Sequence, residues 1–232
     1  MAEDKKQKVN TILKVVVGSQ AHGLADENSD WDYRGVFVVP TEDLLKIGGD
    51  PKTTSWIEGK VDDTKYEVGK FLFLATKCNP TILEVFLAPV VQKKTTAPGR
   101  ELRSLFSCIW NSKGVFDAFR GYGLNQRKKF LENKDVKPQK YACAYLRTLY
   151  QGCELLNTGT FSIDMTETPI YETLKKWKRG ELEVGEVMQT CFDWEKMLEI
   201  MYGKNPSKET DLNKVNDFLL SIRIENLKKE EM

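Results

Sequence analysis

VVVGSQAHGLADENSDWDYRGVFVVP, from Val15 to Pro40, holds two apolar runs separated by a polar stretch. The first continues backwards to Ile12. Ile12 to Val17 is rich in β-branched residues and almost wholly apolar, which predicts a central strand ended by Gly18. Residues 20–28 carry Gly23, Asp26, Glu27 and Asn28 and read as a polar turn region. Ser29 to Val39 reads as a second strand, closed by Pro40. Its half from Gly35 to Val39 is apolar throughout, so it belongs inside a sheet. Asp30 and Asp32 are two residues apart and therefore point to one face of that strand. Gly18-Ser19 forms a tight turn after a buried strand, where backbone N–H groups and the Ser19 hydroxyl can cradle an anion. Glycine at 18 permits close backbone approach. Paired carboxylates beside such a turn are oxygen ligands of the type Mg²⁺ prefers.

Outward from this unit, residues 41–60 contain Gly48, Gly49, Pro51 and Gly59 around Thr53-Thr54-Ser55-Trp56-Ile57, which reads as loop with a short strand. Asp62 to Tyr66 is a third strand. From Glu67 to Lys77 the period turns helical, with Val68, Phe71, Leu72 and Ala75 on one face. Asn79-Pro80 breaks that helix, and Thr81 is placed to cap a second one over Ile82 to Leu87. After Pro89 helical patterns take over, at about 100–131, 139–157, 167–178, 184–202 and 209–227. The expectation is an α/β fold: an N-terminal unit, residues 1–95, with a small mixed sheet, then an α-helical unit, residues 96–232, with the functional site where they meet.

Composition narrows the classes. The chain has 232 residues, 41% hydrophobic and 30% charged, as expected of a globular protein able to bury a core. Thirty-five Lys and Arg against 34 Asp and Glu leave a formal charge of +1, so there is no global basic field for gripping long nucleic acid. Five cysteines, at 78, 108, 143, 153 and 191, show no CxxC spacing. They suggest neither a zinc site nor a disulfide framework, and a reducing, cytoplasmic location is the simplest context. The N-terminal MAEDKKQKVNTILKVVV is charged and then only briefly apolar, too short to span a membrane and poor as a signal peptide.

Attack on a nucleotide α-phosphate requires divalent ions held by carboxylates on rigid elements. Asp30 and Asp32 supply two from one strand. A third acid should come from a neighbouring strand, and Asp63 is the choice. A regular strand would turn Asp62 to the opposite face, and Glu67 falls in the following helix. Gly18 and Ser19 would hold phosphate.

The residues that carry this chemistry resemble the signature of the DNA polymerase beta nucleotidyltransferase superfamily: an apolar residue, Gly, Gly or Ser, a loop, then Asp-x-Asp. The chain is more closely similar to a bacterial and phage nucleotidyltransferase group that includes members linked to RNA repair. Gly18, Ser19, Ala21, His22, Gly23 and Leu24 match that group's first run. Ser29, Asp30, Asp32, Arg34 and Gly35 match its second. Tyr66, Lys70, Phe71, Asn79-Pro80-Thr81 and Glu84 extend the match, and it is fainter at Lys140 to Arg147. Where the group often has a histidine-rich helix, this chain has Lys140 to Tyr145.

The resemblance implies a pol-beta-like catalytic domain followed by a helical one. It also implies a metal-dependent nucleotidyltransferase that moves a nucleoside monophosphate from a nucleoside triphosphate such as ATP to an acceptor hydroxyl, with release of pyrophosphate. Asp30, Asp32 and Asp63 would be catalytic and would hold two Mg²⁺ ions, with Mn²⁺ as a substitute. Gly18, Ser19, His22, Arg34 and Lys70 would contact the nucleotide. The acceptor favoured by the RNA-repair relatives is an RNA 3′ end. A protein or small-molecule acceptor, or a nucleotide-binding module without catalysis, are the rivals. The base, the oligomeric state and the pathway are not specified by these residues.

Overall fold

The computed structural model describes residues 10–48, 54–57, 61–205 and 207–230. Gly49, Pro51, Thr53 and Gly59, on which part of the loop reading rests, lie outside the described residues. The order is β1 (Asn10–Val17), α1 (Gly18–Ala21), β2 (Trp31–Val38), α2 (Thr41–Leu45), β3 (Thr54–Ile57), β4 (Val61–Glu67), α3 (Val68–Thr76) and α4 (Pro80–Leu87). There follow α5 (Ala97–Ser104), α6 (Phe106–Ile109), α7 (Ser112–Leu131), α8 (Pro138–Thr158), α9 (Tyr171–Lys178), α10 (Val184–Lys204) and α11 (Leu212–Glu230). The fold is mixed α/β, as the sequence led us to expect.

The strands form one mixed sheet in the order β1-β2-β4-β3. β1 runs antiparallel to β2, β2 parallel to β4, and β3 antiparallel to β4. The β2–β4 register aligns Asp32 with Asp62 and Phe37 with Glu67. Val15, Val17, Val36 and Val38 are buried and pack with Phe71 and Leu72 of α3 and with Phe86 of α4.

Helix boundaries follow local chemistry. Glu67 caps α3 by accepting from Gly69 N, and Asn79 caps α4 by accepting from Thr81 N at 3.0 Å. The cap of α4 is thus Asn79 rather than Thr81, and Pro80 occupies the first helical turn, where its missing N–H costs nothing. The helix expected over 100–131 is three helices. Leu105 ends α5, and the chain leaves α6 in extended conformation at Trp110 and Asn111. Asn111 Oδ1 then starts α7 by accepting from Gly114 N at 2.6 Å.

α7, α8 and α10 pack on one another, α9 lies on α8, and α4 contacts α7. Aromatic rings run from Phe71 of α3 through Phe86 and Phe106 to Phe161 and Phe119 of α7, with successive centroids 5.1 to 6.2 Å apart. One cluster of buried side chains extends from Ile12 to Ile222, across residue 95. The C-terminal α11 returns to the sheet side of the molecule. Arg223 Nη2 meets the buried Glu67 at 2.6 Å, and Asn226 donates to the Val39 carbonyl. No described helix is long and apolar enough to cross a membrane.

Candidate functional site

β1 ends where α1 begins, and Gly18 takes φ +69° to make that change of direction. Its Cα lies against the Asp32 carboxylate, and a Cβ there would overlap Asp32 Oδ2. Both the backbone angle and the space require glycine. The first amides of a helical turn have no partner within the turn. The Gly18-Ser19 turn therefore offers N–H groups and a hydroxyl directly beside Asp32. Asp30 stands one residue ahead of β2, exposed, and Asp32 is half-buried on the strand.

The sheet register puts Asp62, not Asp63, beside Asp32. Partners directly opposite in a sheet share a face, and Asp32 is opposite Asp62. Asp63 is opposite Tyr33 and lies on the other face, where Lys14 Nζ meets its Oδ2 at 2.8 Å and Lys65 Nζ stands 3.7 Å away. Lys14 also lies over the Tyr33 ring, 4.1 Å from its centroid. Asp63 Oδ1 is buried without a hydrogen-bond partner. The expectation that Asp63 shares the face of Asp32 does not match the register, because alternation along one strand does not state its register with the next.

Asp62 Oδ2 accepts from Arg34 Nη2 at 3.0 Å, and its Oδ1 accepts from Thr64 Oγ1 at 3.0 Å. Each carboxylate oxygen can accept a second bond. Arg34 also donates to the Tyr33 carbonyl, so its position is held from two sides. Burial raises the Asp32 carboxyl above its usual range, and the neighbouring Asp62 raises it further. Asp30 acts in the same direction, while Arg34 and Lys140 of α8 oppose it. The site thus collects like charge from β2 and β4, with cations from β2 and from the helical part nearby.

Lys70 is a second correction. β4 runs away from Asp62, and α3 begins beyond its far end. Six residues at about 3.3 Å per residue put the start of α3 roughly 20 Å from Asp62. Lys70, the third residue of α3, therefore sits toward the opposite end of the sheet from Asp32. Glu67 is used in the pair with Arg223 and in capping α3.

His22 closes α1 and turns inward rather than toward solvent. Its Nε2 lies 2.6 Å from Glu84 Oε1 on α4, and Arg147 Nη1 of α8 lies 3.8 Å from Glu84 Oε2. All three side chains are largely buried. Burial and Arg147 lower the His22 pKa, outweighing Glu84. Burial alone would raise the Glu84 carboxyl, but His22 and Arg147 together pull it down to about 2. At neutral pH Glu84 is therefore an ionised carboxylate held between His22 and Arg147. Tyr122 of α7 stands in the same field, its hydroxyl pushed up by burial.

In the sequence Glu84 and, more faintly, Arg147 only extend the resemblance, and neither is assigned to the site. The pairing of residues 22, 84 and 147 arises from three separate elements, and no spacing announces it. A depression of about 370 Å³ on α7, lined by Leu124, Arg127, Lys128, Leu131 and Glu132, contains none of these groups. Among the described residues, no three or more His, Cys, Asp or Glu side chains converge closely enough to hold a metal ion by themselves.

The family described as the RNA repair pathway DNA polymerase beta family matches residues 2–218. An uncharacterized protein of Methanocaldococcus jannaschii is 26% identical over 159 residues, covering 67% of this chain and 64% of that protein. The uncharacterized protein YcgL of Bacillus subtilis is 25% identical over 134 residues, covering 57% of this chain and 52% of that one. The chain thus spans less than two thirds of the length of either relative. A nucleotidyltransferase-like protein from Exiguobacterium sibiricum 255-15 aligns over 93% of this chain and 74% of its own, at 11% identity and a TM-score of 0.28.

Proposed function

Since the chain belongs to the RNA repair pathway DNA polymerase beta family, we propose that it transfers a nucleoside monophosphate from a nucleoside triphosphate to an acceptor hydroxyl, an RNA 3′ end in the first instance, with release of pyrophosphate. The observation that carries this reading is the contact between Gly18 and Asp32, which sets a phosphate-holding turn against a carboxylate where a single methyl group would not fit.

The residues fit a divalent cation. Asp30, Asp32 and Asp62 bring three carboxylates toward the starts of two parallel strands, and the Asp32 carboxyl, raised by burial and then by Asp62, carries a cost that a cation would relieve. Since no described cluster closes on an ion unaided, oxygen atoms of the substrate phosphates would complete the coordination. Mg²⁺, or Mn²⁺ in its place, would supply charge neutralisation on the phosphates and lower the pKa of the acceptor hydroxyl.

The chain's own groups do the rest. The Gly18-Ser19 amides and the Ser19 hydroxyl hold phosphate oxygens, and Gly18 lets them approach Asp32. Arg34 keeps Asp62 oriented and offsets its charge. Lys140 adds positive charge from the helical side, where the triphosphate or an acceptor phosphate would lie. Asp62, in place of Asp63, would accept the proton of the attacking hydroxyl.

Incubation with each α-labelled nucleoside triphosphate, Mg²⁺ or Mn²⁺, total RNA and total protein tests the reading. Label in RNA, abolished by Asp30→Asn or Asp32→Asn, is expected. Label in a protein band or a small product would move the acceptor to that class. Nucleotide binding with no label in any fraction would make the chain a binding module.

A further inference from the structure

The loop between the phosphate-holding turn and Asp30 is polar, and residues 25–28 are exposed. Leu24 anchors the segment in the core, but residues 25–28 are not anchored in this way, and the segment still delivers both the turn and the first acid. Its position is set by the helical part of the molecule. The His22 carbonyl accepts from Met165 N at 3.1 Å, and Tyr171 donates to the Gly23 carbonyl at 3.4 Å. Gly23 takes φ +67°, and a Cβ there would stand 2.7 Å from Thr166 Cγ2. Lys178 of α9 donates to the Leu24 carbonyl and to Ser29 Oγ, and pairs with Asp26 at 3.2 Å.

The only side chain of this segment driven deep into the protein on a charged partner is His22. Glu84 binds it on Oε1 and faces Arg147 on Oε2. A buried carboxylate is tolerated only with its partners in place. Glu84 therefore ties three elements together: the end of α1, α4 beneath it, and α8 from the helical part. Displacement of α8 would leave Glu84 short of one partner, and loss of Glu84 would release His22, whose amide already closes the turn on the Gly18 carbonyl at 3.1 Å.

We infer that Glu84 is a positioning residue which, by holding His22 and Arg147 at once, fixes the Gly18–Ala21 turn beside Asp32, so that α8 shapes the nucleotide site through a buried group that does not itself touch the nucleotide. This rests on the proposed nucleotidyl transfer for the identity of the ligand, a triphosphate, but not for the mechanical coupling.

Glu84→Gln keeps the shape of the side chain and one acceptor oxygen, and removes the charge that faces Arg147. Two quantities are read against the wild-type protein. Hydrogen exchange of the amides from Gly18 to Leu24 should quicken by about tenfold or more, while the central amides of α7 and α10 keep their rates. Binding of Mg²⁺-ATP, and of the other common ribonucleoside triphosphates in turn, should weaken by about tenfold for whichever nucleotide the wild type binds. If Glu84→Gln does not fold, His22→Gln, which leaves Glu84 and Arg147 in place, is read in the same way. Unchanged exchange at 18–24, or exchange quickened equally throughout all helices, overturns the positioning role. So does undiminished nucleotide binding by the variant. A wild-type protein that binds no triphosphate overturns the proposed function instead, and exchange at 18–24 then decides the coupling alone.

Discussion

Asp62 and Asp63 are consecutive in the chain and point to opposite sides of the sheet. Asp62 shares a face with Asp32 and is held by Arg34 and Thr64. Asp63 is held by Lys14 on the other side. Asp62→Asn is expected to lower kcat/KM by on the order of a thousandfold, the scale on which losing a positioned charged group acts, with little effect on folding. Asp63→Asn should leave kcat/KM within about tenfold but lower stability by about 3 kcal/mol, since it leaves a largely buried Lys14 without its charge partner. Steady-state rates and urea midpoints on both variants check this, and the opposite pattern would restore Asp63 as the third acid. At the same scale, His22 and Glu84 make the fold sensitive to acid. Both titrate in the native state below their ordinary values of 6.5 and 4.5. The unfolded chain therefore binds more protons over that interval, and stability falls as pH falls. The contribution is complete above about pH 6.5, begins to be lost below it through His22, and continues to be lost from 4.5 toward 2 through Glu84. Thermal midpoints measured from pH 8 to 3 should decline over this range, and Glu84→Gln should flatten the portion below 4.5.

The elements themselves were largely legible. The strand over Ile12 to Val17 is β1, the run from Ser29 to Val39 contains β2, and the helix from Glu67 is α3 with Glu67 as its cap. Apolar period and glycine punctuation report local geometry, which neighbouring residues determine. The misreadings fall where a polar side chain outvoted a helical pattern. Residues 100–131 are amphipathic for most of their length, yet Asn111 captures Gly114 N and restarts the helix there, while its Nδ2 donates to Thr210 Oγ1 at 3.2 Å. The second bond involves a residue nearly a hundred positions away, and no local window contains it. Asn111→Ala should cost about 1–2 kcal/mol, the upper range for an N-cap, measured as a shift in the denaturant midpoint with an unchanged slope.

At the scale of the whole molecule, the described core is continuous from Ile12 to Ile222, and α11 closes back on the sheet side. Arg223 neutralises Glu67, which is 2% exposed, and the Arg223 carbonyl accepts from Thr41. Breaking a buried pair from one side leaves an uncompensated charge, so Arg223→Met should cost about 3–5 kcal/mol, although it lies far along the chain from the candidate site. Nucleotide binding by the folded fraction should survive, because Glu67 stands at the opposite end of β4 from Asp62. A urea titration with nucleotide binding measured well below the midpoint checks both halves of that expectation.

By itself the sequence determined the mixed α/β class, the Gly18-Ser19 turn, and Asp32 on the strand that follows, though Asp30 falls one residue ahead of that strand, because alternation, period and turn chemistry act over a few residues. Tertiary structure put Asp62 rather than Asp63 on the face of Asp32, sent Lys70 to the far end of the sheet, and turned His22, Glu84 and Arg147 into one buried group. Each of those outcomes depends on register or on packing between elements distant in the chain. Such contacts are selected by the burial of a shared core, which no local pattern encodes.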